Sequence, residues 1–271
     1  MKIKLNQLRC FVVVPLTALF LSACGNEPVA SPEATADHTD QVVIEGRAHQ
    51  GRLESARVDI YRLDGDIRRQ LGEVSTDRNG DFAVTLDRPE QPLLLEVTAA
   101  ADGSSRMTCG ALEGCGDVAF GEPRSMPDDF RLTTLILPQD LDDRPVALTP
   151  LTHLATGWAR AMPGPVDARS IRLARGRVAG LMNLAPGFAF QQLPHLSGES
   201  GALTASAAAR HALMAVAFAE RAANDGRTVQ RSLDGHLEAF IRHAGQFRRQ
   251  GDYSLSGLLA SAGEIAARRS I

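Results

Sequence analysis

Between about residues 42 and 137 apolar side chains recur at every second position. Ala56, Val58 and Ile60 alternate with Arg57, Asp59 and Tyr61, and Phe82, Val84 and Leu86 alternate with Asp81, Ala83 and Thr85. That is the period of half-buried strands. Leu93 to Ala99 and Phe130 to Leu137 supply two more. Asp64-Gly65 and Asn79-Gly80 stand at hairpin positions, because both dipeptides tolerate positive φ. Short strands punctuated in this way predict an antiparallel sandwich. Beyond about residue 148 the period becomes helical. Thr149 is suited to cap a helix with Pro150 in its first position, and Leu151, Leu154, Ala155, Trp158 and Met162 then share a face. Asp167 caps a second helix expected to reach about Leu184, before Pro186-Gly187. Further helices are expected over Thr204 to Ala223, Val229 to Phe247 and Ser254 to Arg268. Their short connections point to a compact bundle.

The first residues follow neither pattern. Lys2, Lys4 and Arg9 precede an apolar run from Cys10 to Phe20, the layout of an export signal and too short to span a bilayer. The run ends in Leu21, Ser22, Ala23 and Cys24, which resembles the lipobox of bacterial lipoprotein precursors at all four positions. The resemblance implies that residues 1–23 are removed and that Cys24 becomes a lipid-modified amino terminus, its sulfur linked to diacylglycerol. Each buried methylene contributes about 0.8 kcal/mol, so several acyl chains hold a protein on a membrane far better than one. Gly25 rather than an acid after that cysteine implies, by resemblance to the enteric sorting rule, the outer membrane. Residues 24–40 are rich in Pro, Ala, Ser, Thr and acids, cannot bury enough apolar surface to offset chain entropy, and read as a flexible tether.

The strand region resembles a family. Ile44-Glu-Gly-Arg, Leu53-Glu-Ser-Ala-Arg-Val-Asp-Ile-Tyr and Leu71-Gly-Glu-Val-Ser-Thr-Asp-Arg-Asn-Gly-Asp-Phe82 are similar to the carboxypeptidase regulatory-like, transthyretin-type (prealbumin/Ig-like) module. The cadence is carried by Ala56, Val58, Thr76, Asp77, Gly80 and Phe82 and covers roughly residues 42 to 100. It implies a fold and no activity, since such modules serve as accessory or spacer domains. A second resemblance, on Leu148-Thr-Pro-Leu-Thr-His-Leu-Ala and the alanine-rich region behind it, is to exported proteobacterial lipoproteins of undefined activity. The fold class expected is therefore α+β in two segregated modules: an antiparallel β-sandwich over 41–148, then a bundle of about five helices over 149–271.

With Cys10 in the leader and Cys24 carrying lipid, Cys109 and Cys115 remain as an even pair in an oxidising compartment, and a disulfide is expected. Gly110, Gly114 and Gly116 permit the tight path of so small a ring. No further ligands stand nearby for a metal. Asp77-Arg-Asn-Gly-Asp81 has oxygen ligands at alternate positions, but Arg88 occupies the place of the distal carboxylate of a calcium loop, so a plain turn is expected.

Charge divides unevenly. From Cys24 to Leu148 there are 12 Arg against 24 Asp plus Glu, a net of −12; from Thr149 onward 14 Arg face 8 acids, a net of +6. Either the two halves dock on each other or the helical half meets an anionic partner, a phospholipid headgroup, lipopolysaccharide or wall polymer. Arg169, Arg172, Arg175 and Arg177 crowd one helix and are the candidate anionic contact. Nucleic acid is excluded as a partner by the acidic balance and the lack of aromatics among the basic residues.

No catalytic constellation is local in sequence. Gly198-Glu-Ser-Gly201 lacks the strand-turn-helix setting of a nucleophile elbow and continues into Ala202. His153 is expected half-exposed behind a helix cap, His236 and His243 on a polar surface, and His195 and His211 show no acid partner. The sequence thus points to a lipid-anchored binding or scaffolding protein of the cell envelope, tethered to the membrane and in contact with an envelope protein or an anionic glycan or lipid. It needs no cofactor, metal or catalytic residue. The alternative is an envelope-polymer hydrolase whose active residues the sequence does not name.

Overall fold

The computed structural model describes residues 40–65, 67–141, 144–185, 187–190, 193 and 206–269. Cys24, the segments expected to be leader and tether before residue 40, His195 and the Gly198-Glu-Ser-Gly201 segment lie outside the described residues.

The described chain is α+β. Its strands are β1 (Gln41–Ala48), β2 (Leu53–Glu54), β3 (Arg57–Asp64), β4 (Ile67–Ser75), β5 (Asp81–Asp87), β6 (Leu93–Thr98), β7 (Arg106–Thr108), β8 (Pro123–Ser125), β9 (Arg131–Ile136) and β10 (Val146–Leu148). Helices α1 (Pro150–Ala161), α2 (Ala168–Met182), α3 (Ala207–Asn224), α4 (Val229–Arg242) and α5 (Leu255–Arg269) follow. One sheet has the order β4-β3-β6-β9 and is antiparallel throughout. A second has the order β10-β1-β5, in which β10 runs parallel to β1, and a small third has the order β2-β7-β8.

Alternation sets the faces. In β1, Val42 and Ile44 turn inward while Val43 and Glu45 are exposed, and β3 buries Val58 and Ile60 completely. Leu93, Leu94 and Leu95 of β6 are all buried, as a strand covered on both faces requires. Gly46 lies where β1 passes between its neighbours: a Cβ there would stand 2.4 Å from the Phe82 ring and 2.6 Å from the Val146 carbonyl. Strand β4 carries no buried residue, which is why hydrophobic alternation does not reveal it.

Asp64-Gly65 makes the expected hairpin, with Asp64 paired to Ile67 and Gly65 at φ 63°. Asn79-Gly80 is a turn but joins strands of two different sheets, so it is not a hairpin. It is shaped by Asp77, whose Oδ1 accepts from the amides of Asn79 (2.7 Å) and Asp81 (2.9 Å).

Helices α1 and α2 begin where their caps predict. Thr149 accepts from the Thr152 amide and Thr152 returns the bond, a capping box with Pro150 behind it; Asp167 and Ser170 repeat the arrangement at α2. Two of the ends differ from expectation. Helix α2 stops at Met182 because Asn183 turns left-handed (φ 50°). Helix α4 stops at Arg242, five residues early, because Ala244 and Gly245 take positive φ. A Cβ on Gly245 would lie 2.5 Å from the Trp158 indole, so the chain must turn where it meets that ring.

Residues Thr39–Ile271 form one compact unit. Helix α1 packs on β9, and Ile44, Ile60, Leu95, Leu132, Leu154, Phe218 and Phe240 belong to one hydrophobic cluster, so strands and helices share a core. Cys109 and Cys115, with Cα atoms 5.8 Å apart, are joined by a disulfide in the connection between β7 and β8.

Candidate functional site

The four arginines of α2 divide into two pairs. Arg175 donates to Asp140 (2.7 Å) and to the Leu135 carbonyl and lies over the Phe190 ring at 4.6 Å. Arg177 donates to the Gly245 carbonyl at 2.7 Å. Both bind the helix to its surroundings. Arg169 and Arg172 are exposed, beside exposed Leu173. Ion pairs of Arg175 with Asp140 and of Arg268 with Glu113 join the helical half to the acidic half. The docking of oppositely charged segments therefore has specific ion pairs, the first largely shielded and the second in solvent, where it contributes little.

A larger concavity opens on the other side of the disulfide connection. Buried Glu220 of α3 accepts from the Leu112 amide at 2.6 Å, and Arg268 of α5 donates to the Leu112 carbonyl. Between those anchors the backbone at Gly110 runs so close to α3 that a Cβ would stand 2.9 Å from that of Ala219. The loop, β7, β8 and the corner between α3 and α4 enclose a groove of about 620 Å³. Its walls are mostly small or apolar, including Met107, Ala219, Ala222 and Val229; among the described residues its charges are Arg124 and Arg227, with no lining carboxylate.

The two arginines differ. Arg227 donates to Asp252 (3.0 Å) and Asp225 (3.4 Å) and stacks over Tyr253 at 4.6 Å; the Asp252 carboxylate pushes its pKa up. Arg124 has no carboxylate partner among the described residues. Its Nη2 sits 3.6 Å from the Met107 sulfur, and its shielded Nε has no hydrogen-bond partner there. Burial alone lowers its pKa. A cation held partly out of water without a counter-ion costs free energy, which an arriving anion would return. Sequence gave no sign of Arg124, because its isolation depends on strand pairing and helix packing far along the chain.

The histidines go the other way. His153, expected half-exposed, is 4% exposed: its position in the first turn of α1 faces β9, where Nδ1 meets Thr133 Oγ1 at 3.0 Å. His211 meets Thr149 Oγ1 through Nε2 at 2.9 Å. His236, expected on a polar surface, is fully buried; its Nδ1 meets the Ser232 carbonyl at 2.7 Å and its ring packs edge-on against Phe218 and Tyr253. Burial pushes the pKa of His153 down to about 4, His211 to about 3 and His236 to about 4. Among the described residues no group of three or more His, Cys, Asp and Glu side chains is placed to hold a metal ion, and no helix is long and apolar enough to cross a membrane.

No family model and no curated protein matches the chain. A solved structure, a 9R-lipoxygenase from Cyanothece PCC8801, is 13% identical over 59% of this chain, which spans 26% of that protein. The TM-score of 0.22 carries no argument about fold or function.

Proposed function

We propose that the protein is a lipid-anchored binding or scaffolding protein of the cell envelope. Cys24 carries the lipid, residues 24–40 are the tether, and the folded unit beyond meets an envelope protein or an anionic glycan or lipid at the outer membrane. In this reading the strands form a prealbumin-like sandwich that acts as a rigid spacer for the helices.

The observation that carries the binding role is the fate of the polar groups. His153, His211 and His236 are held neutral inside the core by hydroxyl and carbonyl partners, whereas Arg169 and Arg172 stand in solvent and Arg124 faces a groove. Neutral core histidines suit packing; exposed surface cations suit the capture of an anion. The lipobox resemblance supports the membrane part. Cys24→Ala is expected to move the protein from the membrane fraction to the soluble one on cell fractionation. Retention of that variant in the membrane would defeat the anchor.

A further inference from the structure

We infer that the groove between the disulfide connection and the α3–α4 corner binds a small organic acid, its carboxylate or phosphate head on Arg124 and its apolar body along Met107, Ala219, Ala222 and Val229. This rests on the binding half of the reading above and is independent of the anchor.

Three features converge on it. The volume, about 620 Å³, falls within the range of small-molecule sites. The charge is one-signed: among the described residues no Asp or Glu lines this groove. Arg227 is already neutralised by Asp225 and Asp252, so the site offers one unsatisfied guanidinium rather than a basic field, and it selects a single anionic group. A planar guanidinium presents two parallel N–H donors to a carboxylate or a phosphate. The N-terminal end of α4, at Thr228 and Val229, lies on the same rim, where the helix dipole favours negative charge. The remaining walls lack charge and favour an attached hydrocarbon over a bare ion.

The groove is also preformed. Glu220 and the Cys109–Cys115 bridge fix the loop wall, and the wall on α3 is helical backbone bearing alanines, which lose no side-chain freedom on binding.

The test uses the full purified chain at constant ionic strength, titrated by calorimetry with acetate, hexanoate and inorganic phosphate, and with chloride as reference. Saturable binding of hexanoate is expected, tighter than acetate by up to about fourfold for each methylene that finds apolar cover. Phosphate binding as tightly as acetate would assign the head-group preference to charge, and weaker phosphate binding would assign it to the carboxylate. Arg124→Gln should abolish binding, and Arg124→Lys should weaken it by about tenfold or more, since lysine keeps the charge without the fork. Arg124→Gln without ligand should keep or raise the wild-type thermal midpoint, because an unpaired cation is removed. A marked loss of midpoint would instead make the arginine structural and overturn the assignment. So would equal binding by wild type and Arg124→Gln, or heats no larger than those of chloride. Failure here with Cys24-dependent membrane retention intact would remove the groove and leave the anchor standing.

Discussion

Burying a histidine in a fold at neutral pH is inexpensive only while the ring stays uncharged, and His153, His211 and His236 depend on that. The folded-state pKa values of His153, His211 and His236 are lowered to about 4, 3 and 4 by burial, below the ordinary value of 6.5. The unfolded chain therefore binds more protons between those limits, and stability rises with pH across the interval. The contribution is fully present above about pH 6.5 and is lost as pH falls toward 4. Each group contributes about 1.4 kcal/mol per pH unit in that window. Denaturant melts at pH 7 and pH 5 should differ by several kcal/mol, and His236→Phe, which keeps a ring among Phe218 and Tyr253, should flatten the dependence. A pH-independent midpoint over this range would contradict the burial. The histidine environments were not legible in sequence: Thr133 reaches His153 across a strand-to-helix crossing, and Thr149 reaches His211 over 62 positions.

At the level of elements, local signals were readable and crossings were not. The caps at Thr149 and Asp167 are determined within four residues, so sequence located both starts. The ends of α2 and α4 depend on a left-handed Asn183 and on the Trp158 ring behind Gly245, which belong to the packed structure. Strand β4 escaped because only Leu71 and Val74 of its side chains lean on the core and neither is fully buried, and Asn79-Gly80 misled because turn chemistry does not say which sheet receives the next strand. The Cys109–Cys115 ring was legible by cysteine arithmetic; its role as one wall of a groove was not. Closing a loop of seven residues contributes about 2.4 kcal/mol by chain entropy. The Cys109→Ser, Cys115→Ser double variant is expected to lose about 2 kcal/mol in denaturant melts and to bind hexanoate more weakly, because Gly110 and Leu112 lose their fixed path. A variant unchanged in both respects would show that Glu220 and Arg268 hold the loop unaided.

For the whole molecule, the opposite charges of the two halves are partly spent inside it. Arg175 with Asp140 and Arg268 with Glu113 link helices to the strand-rich half, and a hydrophobic core runs through both. Among the cations exposed at the surface are Arg169 and Arg172 on α2, and Arg124 lines its groove. In the proposed setting, acyl chains on Cys24 would confine these cations to a thin layer above a membrane, raising their encounter rate with anionic neighbours without strengthening any single contact. The sequence carries that claim in four residues, Leu21 to Cys24, which is why it is so exposed to test. The most direct measurement is the intact mass of the native protein's amino-terminal peptide: the account predicts a chain that begins at Cys24 and carries diacylglycerol, whereas an unmodified amino end or an uncleaved leader would contradict it.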